Sequence, residues 1–243
     1  MCTVTYINNK GNQYFTSNRD ENRLRPPALM PQTNLRNSVQ LIYPADAHAG
    51  GSWFAITEKR TVAVLLNGAF EKHIPVYPYR ISRGIVLLDI ASGEKSGLTF
   101  QKMNLEKVEP FTIILFEEDN LNQLVWDGNT KHTISLDSTC NYIWSSVTLY
   151  DNNTREKRNK HFDEFMDSSI EKNTGSIIDF HSHYDRDTEN GFIIKRENGI
   201  HTQSITQAVL LQSHIEFSHY DMLTAQRHTT TVSTQKNIPV EQV

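Results

Sequence analysis

A chain of 243 residues suits one large domain, or at most two small ones, with a sizeable core. At 37% hydrophobic and 21% charged residues it is not globally disordered. Lys and Arg total 24 against 28 Asp and Glu, and this net charge of −4 argues against the basic stripe of a nucleic-acid binder.

Only two cysteines occur, Cys2 and Cys140, too few for a secreted disulfide scaffold. The N-terminal stretch is mixed polar and lacks the apolar core of a signal peptide. No apolar run approaches the ~20 residues of a membrane span. The expectation is a cytoplasmic protein without an integral membrane segment.

In chain order, Thr3 to Ile7 and Gln13 to Ser17 alternate about the turn Asn8-Asn9-Lys10-Gly11-Asn12, which predicts a hairpin. Leu24 to Pro31 carries three prolines and is expected to be irregular. Val39 to Tyr43 reads as a strand, and Ser52 to Thr57 with Thr61 to Leu66 as a second hairpin. Ile81 to Ala91 has helical apolar spacing and stops at Ser92-Gly93. Phe111 to Phe116, Gln123 to Trp126, Thr133 to Leu136 and Tyr142 to Val147 are strand-like. Asn153 to Met166 is a charged helix with Phe162, Phe165 and Met166 on one side, and Ile177 to Tyr184 reads as a short helix. Phe192 to Arg196, Thr202 to Leu211 and Ile215 to Tyr220 read as strands. From Gln226 onward a Thr- and Gln-rich tail is expected to fray, leaving residues 1–225 as one domain. Strands at both ends with helices between them predict an α+β layered domain.

If Met1 is removed, Cys2 carries a thiol and a free α-amine on one residue. An α-amine titrates near ~7.7–8.0, so it can serve as a base for its own thiol, the logic of N-terminal nucleophile (Ntn) hydrolases. Position alone is better described by a small residue opening a strand, because a lone Cys is usually buried and inert. Asn18-Arg19-Asp20-Glu21 ends the second predicted strand, and the antiparallel hairpin returns that end to the start of the first. Asp20 is thereby expected near Cys2, where a carboxylate can hold the amine and an Arg can lower the thiol pKa. Gly50-Gly51-Ser52-Trp53 opens the next strand, where a glycine pair permits a left-handed turn or close backbone approach. Leu66-Asn67-Gly68 ends one, with a side-chain amide that could donate to an oxyanion. His181-Ser182-His183 has a spacing used by metal ligands, but it falls in a predicted helix, where rings two apart diverge, and no metal site is assigned. Cys140 reads as a core residue in a strand.

Met1-Cys2, the Asn18-Arg19-Asp20-Glu21 tetrad, Arg25-Pro26, Gly50-Gly51-Ser52-Trp53 and Leu66-Asn67 occur in this order. The set resembles the NRDE family, the transport and Golgi organization 2-like proteins, most closely over residues 1 to about 90. Trp144-Ser145-Ser146 and Thr202 to Leu211 are similar to later stretches of that family. The first 70 residues also resemble cysteine Ntn hydrolases of the bile salt hydrolase and penicillin V acylase group. There the chain begins Met-Cys-Thr, and the hairpin carries Gly-Asn-x-Tyr-Phe-Gly-Arg-Asn-x-Asp. Here Gly11 to Asp20 fills that frame, with Ser17 in place of its Arg and Arg19 two residues later. The resemblance implies a four-layer αββα sandwich, Cys2 as nucleophile, Asp20 beside it, and an oxyanion site at Asn67. Ser146 stands where that group has a second oxyanion Asn, and Asn18, Arg19 and Ser146 are the implied binding residues. The group's late catalytic Arg has no counterpart near Thr202. Two functions follow from the resemblance. One is a cysteine amidohydrolase that cleaves a small-molecule amide and needs no cofactor. The other is a non-catalytic NRDE-family protein in secretory organisation or in haem or lipid handling.

Overall fold

The computed structural model describes residues 3–183 and 186–234. Its strands form two antiparallel sheets. The first is built on the predicted hairpin, β1 (Thr3–Asn9) and β2 (Asn12–Asn22), whose register pairs Thr3 with Asn18 and Asn9 with Asn12. The second holds β3 (Leu29–Arg36), β4 (Val39–Ala45), β5 (Phe54–Thr57), β6 (Val62–Asn67), β7 (Phe111–Glu117), β8 (Asn120–Trp126) and β9 (Lys131–Leu136), in sequence order. Then β10 (Tyr142–Ser145) returns to the first sheet beside β1, and β11 (Ile200–Leu210) pairs with β2. β12 (His214–Asp221) and β13 (Gln226–Ser233) complete an order of β10-β1-β2-β11-β12-β13.

Period-two alternation decides the layers. Val4, Tyr6 and Phe15 from the first sheet meet Phe54, Ile56, Val64 and Phe116 from the second in one apolar cluster. The opposite faces take helices. On the second sheet, Ala55, Ala63, Leu65 and Ile113 pack against α1 (Arg83–Ala91) and α2 (Ser96–Lys102). On the first, Ile7, Tyr14 and Val209 pack against α3 (Asn152–Asp167) and α4 (Thr174–His181). The result is the four-layer αββα sandwich expected from the resemblance.

Helix starts follow local chemistry. The Ser82, Asp151 and Asn173 side chains accept from backbone N–H groups of the first turns of α1, α3 and α4. α2 has no side-chain cap of its own. Instead Glu117 of β7 accepts from Ser96 N at 2.7 Å and Gly97 N at 3.3 Å. This seven-residue helix is stabilised from across the fold and left no signal in its own sequence.

Four expectations need correction. Leu29 to Pro31, placed in the irregular segment, begin β3; a proline is tolerated there because β3 is an edge strand. Phe192 to Arg196 form no strand, and only Lys195 makes an isolated bridge, to His201. Gln226 to Ser233 do not fray but pair along the whole of β12. Cys140 is exposed in the turn before β10, not in the core. Tyr184 and residues 235–243 lie outside the described residues.

The Gly50-Gly51-Ser52-Trp53 stretch is explained by packing. A Cβ on Gly51 would sit 2.4 Å from Gly84 C and 2.6 Å from Ile85 N, so the bare glycine lets α1 approach the backbone ahead of β5.

Candidate functional site

Cys2 lies outside the described residues. Thr3, the residue after it, is flanked on β1 by Asn18 of β2 and Ser145 of β10. Strand direction therefore gathers the C-terminal ends of β2 and β10 around the start of β1. The second sheet joins the same end of the sandwich: Ser146 Oγ donates to the Asn67 carbonyl at 2.8 Å, and Arg19 reaches Asp46, just beyond β4, at 2.7 Å.

The tetrad is no solvated turn. Asn18, Arg19 and Asp20 are buried within β2, and alternation sends them to opposite faces. Arg19 points between the sheets. It stacks 4.6 Å over the Trp53 ring, pairs with Asp46 and bonds to Gln203 Oε1. Gln203 occupies a bulge in β11 between the partners of Arg19 and Asp20, and this extra residue gives Arg19 its amide acceptor. Burial alone would raise the Asp46 pKa. The Ala49 N–H, Arg19, Arg25 and the His48 N–H together hold it below the usual carboxylate value.

Asn18 and Asp20 face the helices. Asp20 Oδ2 accepts from the Tyr150 hydroxyl at 2.8 Å, and Oδ1 accepts from Thr202 Oγ1 at 2.6 Å. Asn18 spends both amide hydrogens on the carbonyls of His181 and Phe192, at 2.9 and 2.8 Å. Its oxygen must then accept, so the facing His181 Nδ1 carries the hydrogen. His181 Nε2 in turn accepts from Thr5 Oγ1 at 2.8 Å. Burial, aided by the Arg158 charge, pushes the His181 pKa down to about 3. The ring is a neutral tie between α4 and β1 with both nitrogens engaged, which removes it from metal ligation. Its sequence neighbour His183 is exposed.

Sequence reasoning missed Arg158. It is fully sequestered on α3, donates to Thr3 Oγ1 and to the Gly191 and Asn190 carbonyls, and stacks 3.7 Å over Tyr150. A signal existed: Thr154, Arg158 and Phe162 are the buried residues of α3 at spacing four, so a cation sits in the inward stripe. Tyr150 had no comparable signal.

Asn67 and Ser146, 79 residues apart, are brought together. Gly68 follows with φ +86°, and a Cβ there would meet Val147 Cγ2 at 2.5 Å. The Ser146 hydroxyl hydrogen goes to the Asn67 carbonyl, so Ser146 positions the Asn67 turn. Among the described residues the Asn67 side-chain amide makes no hydrogen bond. It lines a cleft of about 390 Å³ with Phe70, Gln123, Trp144 and Arg155. A second depression of about 770 Å³ adjoins it across Phe70, Val147 and Arg155 and continues over Tyr150 to Arg196. Arg19 and Asp20, both expected beside Cys2, point to opposite faces of the sheet, because consecutive strand residues alternate. Among the described residues no group of His, Cys, Asp and Glu is placed to hold a metal, and no helix is long and apolar enough to cross a membrane.

Comparison with solved structures finds the same architecture in other proteins. The N-acylethanolamine-hydrolyzing acid amidase ortholog of Caenorhabditis elegans aligns with TM-score 0.57 and 13% identity, over 85% of this chain and 92% of that one. Two variants of conjugated bile acid hydrolase from Clostridium perfringens each align with TM-score 0.50. One, at 10% identity, covers 98% of this chain and 100% of its own; the other, at 9%, covers 97% and 98%. These likenesses show the Ntn-hydrolase fold. Among curated proteins no sequence matches. The family model for Transport and Golgi organisation 2 matches residues 1–237, and the chain belongs to that family.

Proposed function

We propose that this chain is an N-terminal-nucleophile cysteine hydrolase that cleaves the C–N bond of a small-molecule amide. The observation that carries the reading is the convergence on the start of β1 of a buried carboxylate, Asp20, and a cleft-lining amide, Asn67, which Ser146 holds in place. In this reading Met1 is removed and the Cys2 thiol passes its proton to its own α-amine. The sulfur adds to the substrate carbonyl, and the Asn67 amide donates to the oxyanion. The C–N bond then breaks, and the leaving amine takes the proton back from the α-ammonium. Water cleaves the thioester, releasing the acid and restoring the thiol. Asp20, itself held by Tyr150 and Thr202, orients the α-amine. Arg19 is a positioning residue on the other face of β2, bracing the strand end through Asp46. That an N-acylethanolamine-hydrolyzing amidase and a conjugated bile acid hydrolase share the fold supports an amide as substrate.

The test is amine release from a panel of N-acyl amines and N-acyl amino acids, with intact mass measured on the same sample. Turnover is expected only in protein lacking Met1, and Cys2→Ala should abolish it. Asn67→Ala should lower kcat by roughly 10²–10³, the range for removing one oxyanion donor. Its stability should barely change, because that amide bonds nothing else in the described chain. Undiminished turnover in Cys2→Ala, or a retained Met1 in active protein, would remove the mechanism.

A further inference from the structure

Asn67 opens a turn whose backbone is held at three successive groups. Its own carbonyl accepts from Ser146 Oγ at 2.8 Å. Gly68 N donates to the Pro110 carbonyl at 3.0 Å, and the Gly68 carbonyl accepts from Thr112 Oγ1 at 3.0 Å. Val147 and Thr148 close over the glycine, where a Cβ would meet their Cγ2 atoms at 2.5 and 2.8 Å. The Asn67 side-chain amide, which bonds to no described residue, is left to line the cleft. A fixed backbone carrying one unspent donor is what preorganised stabilisation of an oxyanion requires.

The Pro110 end of this hold is fastened from another layer. Arg83, the first residue of α1, donates Nη1 to the Pro110 carbonyl at 3.3 Å and pairs through Nη2 with Glu109 Oε2 at 3.0 Å. The two side chains are only 17% and 20% exposed, so the pair is better shielded than a surface ion pair. Arg83 is itself fixed. The Ser82 side chain caps α1 there, and the close contact of Gly84 with Gly51 pins the start of the helix to the backbone ahead of β5. The other carboxylate oxygen, Glu109 Oε1, accepts from His73 Nε2 at 3.2 Å. His73 lies between β6 and α1, on the segment whose Phe70 lines the cleft. Glu109 and Pro110 thus join α1, the Asn67 turn and the segment that walls the cleft.

We infer that Arg83 and Thr112 are positioning residues, acting through Pro110 and Gly68 to aim the Asn67 amide into the cleft. Their effect on turnover rests on the hydrolase reading, whereas their hold on the turn does not.

The test uses Arg83→Met, which keeps the aliphatic stem and removes both bonds. In the amine-release assay kcat should fall roughly tenfold or more, with KM within about twofold of wild type, because the displaced donor acts in the transition state. On an Asn67→Ala background the same substitution should change kcat little, since the group it positions is gone. A second readout needs no substrate. An Asn followed by Gly is prone to deamidation: Gly68 N, losing its proton, adds to Asn67 Cγ, ammonia leaves, and water opens the cyclic imide to aspartate or isoaspartate. The bond to Pro110 withholds that nitrogen. Peptide mapping after incubation at mildly alkaline pH should therefore show Asn67 deamidating several-fold faster in Arg83→Met, with Asn198-Gly199 unchanged as an internal reference. Thr112→Val removes only the hydroxyl donor to Gly68 and should move both readouts the same way by less. It carries the test if Arg83→Met lowers the melting temperature so far that the fold is lost. An equal fall in kcat on the wild-type and Asn67→Ala backgrounds, or deamidation of Asn67 at the wild-type rate in a folded variant, overturns the proposal. A wild-type chain without turnover on any amide fails the hydrolase reading alone, and the deamidation rates then decide this one.

Discussion

The Tyr150 hydroxyl donates to the Asp20 carboxylate at 2.8 Å, across 130 residues of chain, inside a layer closed to solvent. The same tyrosine ring carries the Arg158 guanidinium on its face at 3.7 Å. One aromatic side chain thus joins the acid of the tetrad to the buried cation of α3.

Removing that hydroxyl should be costly. Tyr150→Phe leaves a buried carboxylate short of one donor, and the loss expected is about 1–3 kcal/mol. Chemical unfolding measures it. A wild-type midpoint in Tyr150→Phe would mean that Asp20 does not depend on this bond.

Arg19 and Asp46 should behave as a buried pair. Arg19→Ala leaves the Asp46 carboxylate beside the Trp53 layer without its nearest cation, at an expected cost of roughly 3–5 kcal/mol. Arg25, at 3.3 Å, offsets part of this. Arg19→Lys should recover little, because the stacked fork over Trp53 and the bond to Gln203 need a planar guanidinium. A change below about 1 kcal/mol in Arg19→Ala, the range of exposed pairs, would contradict the buried assignment.

Acid should destabilise the fold before its carboxylates titrate. Burial is the main cause that lowers His181 to about 3 and His219 to about 4, from an ordinary 6.5. The unfolded chain therefore binds more protons below pH 6.5, and stability falls as pH drops from about 6.5 toward 4. Between pH 6.5 and 5 each ring should cost about 2 kcal/mol. His219→Gln should flatten the urea-midpoint profile in that window. An equally steep profile in this variant would count against a buried neutral His219.

Gly51→Ala should destabilise the packing of α1. The added methyl meets backbone atoms of Gly84 and Ile85 at 2.4 and 2.6 Å, and backbone cannot rotate away as a side chain does. A loss of about 3 kcal/mol is expected, at the upper end for overpacking. Thermal denaturation against Gly97→Ala, where nothing lies within 4 Å of the new methyl, isolates the clash from any general effect of replacing glycine.

The local elements were legible in the residues because their causes are local. Alternation about Lys10-Gly11 specified the first hairpin, and with it the return of Asp20 to the start of β1. Apolar spacing specified α1, and the inward stripe of α3 ends on Phe162. Alternation also sends Arg19 and Asp20 to opposite faces, a rule available from the sequence and outweighed by their shared tetrad. Tertiary structure alone decided the rest. β11 lies beside β2 because the sheet closes across about 180 residues of chain, and only that pairing supplies Thr202 to Asp20 and Gln203 to Arg19. α2 is capped by Glu117 of a distant strand. The residues from Gln226 become a strand because β12 offers an unpaired edge. Tyr150 and Arg158 reach Asp20 and Thr3 only once α3 packs on the first sheet, and Ser146 meets Asn67 only once the two sheets stack. Period and capping act over a few residues, whereas a buried carboxylate takes whatever donors the assembled layers bring within hydrogen-bond distance.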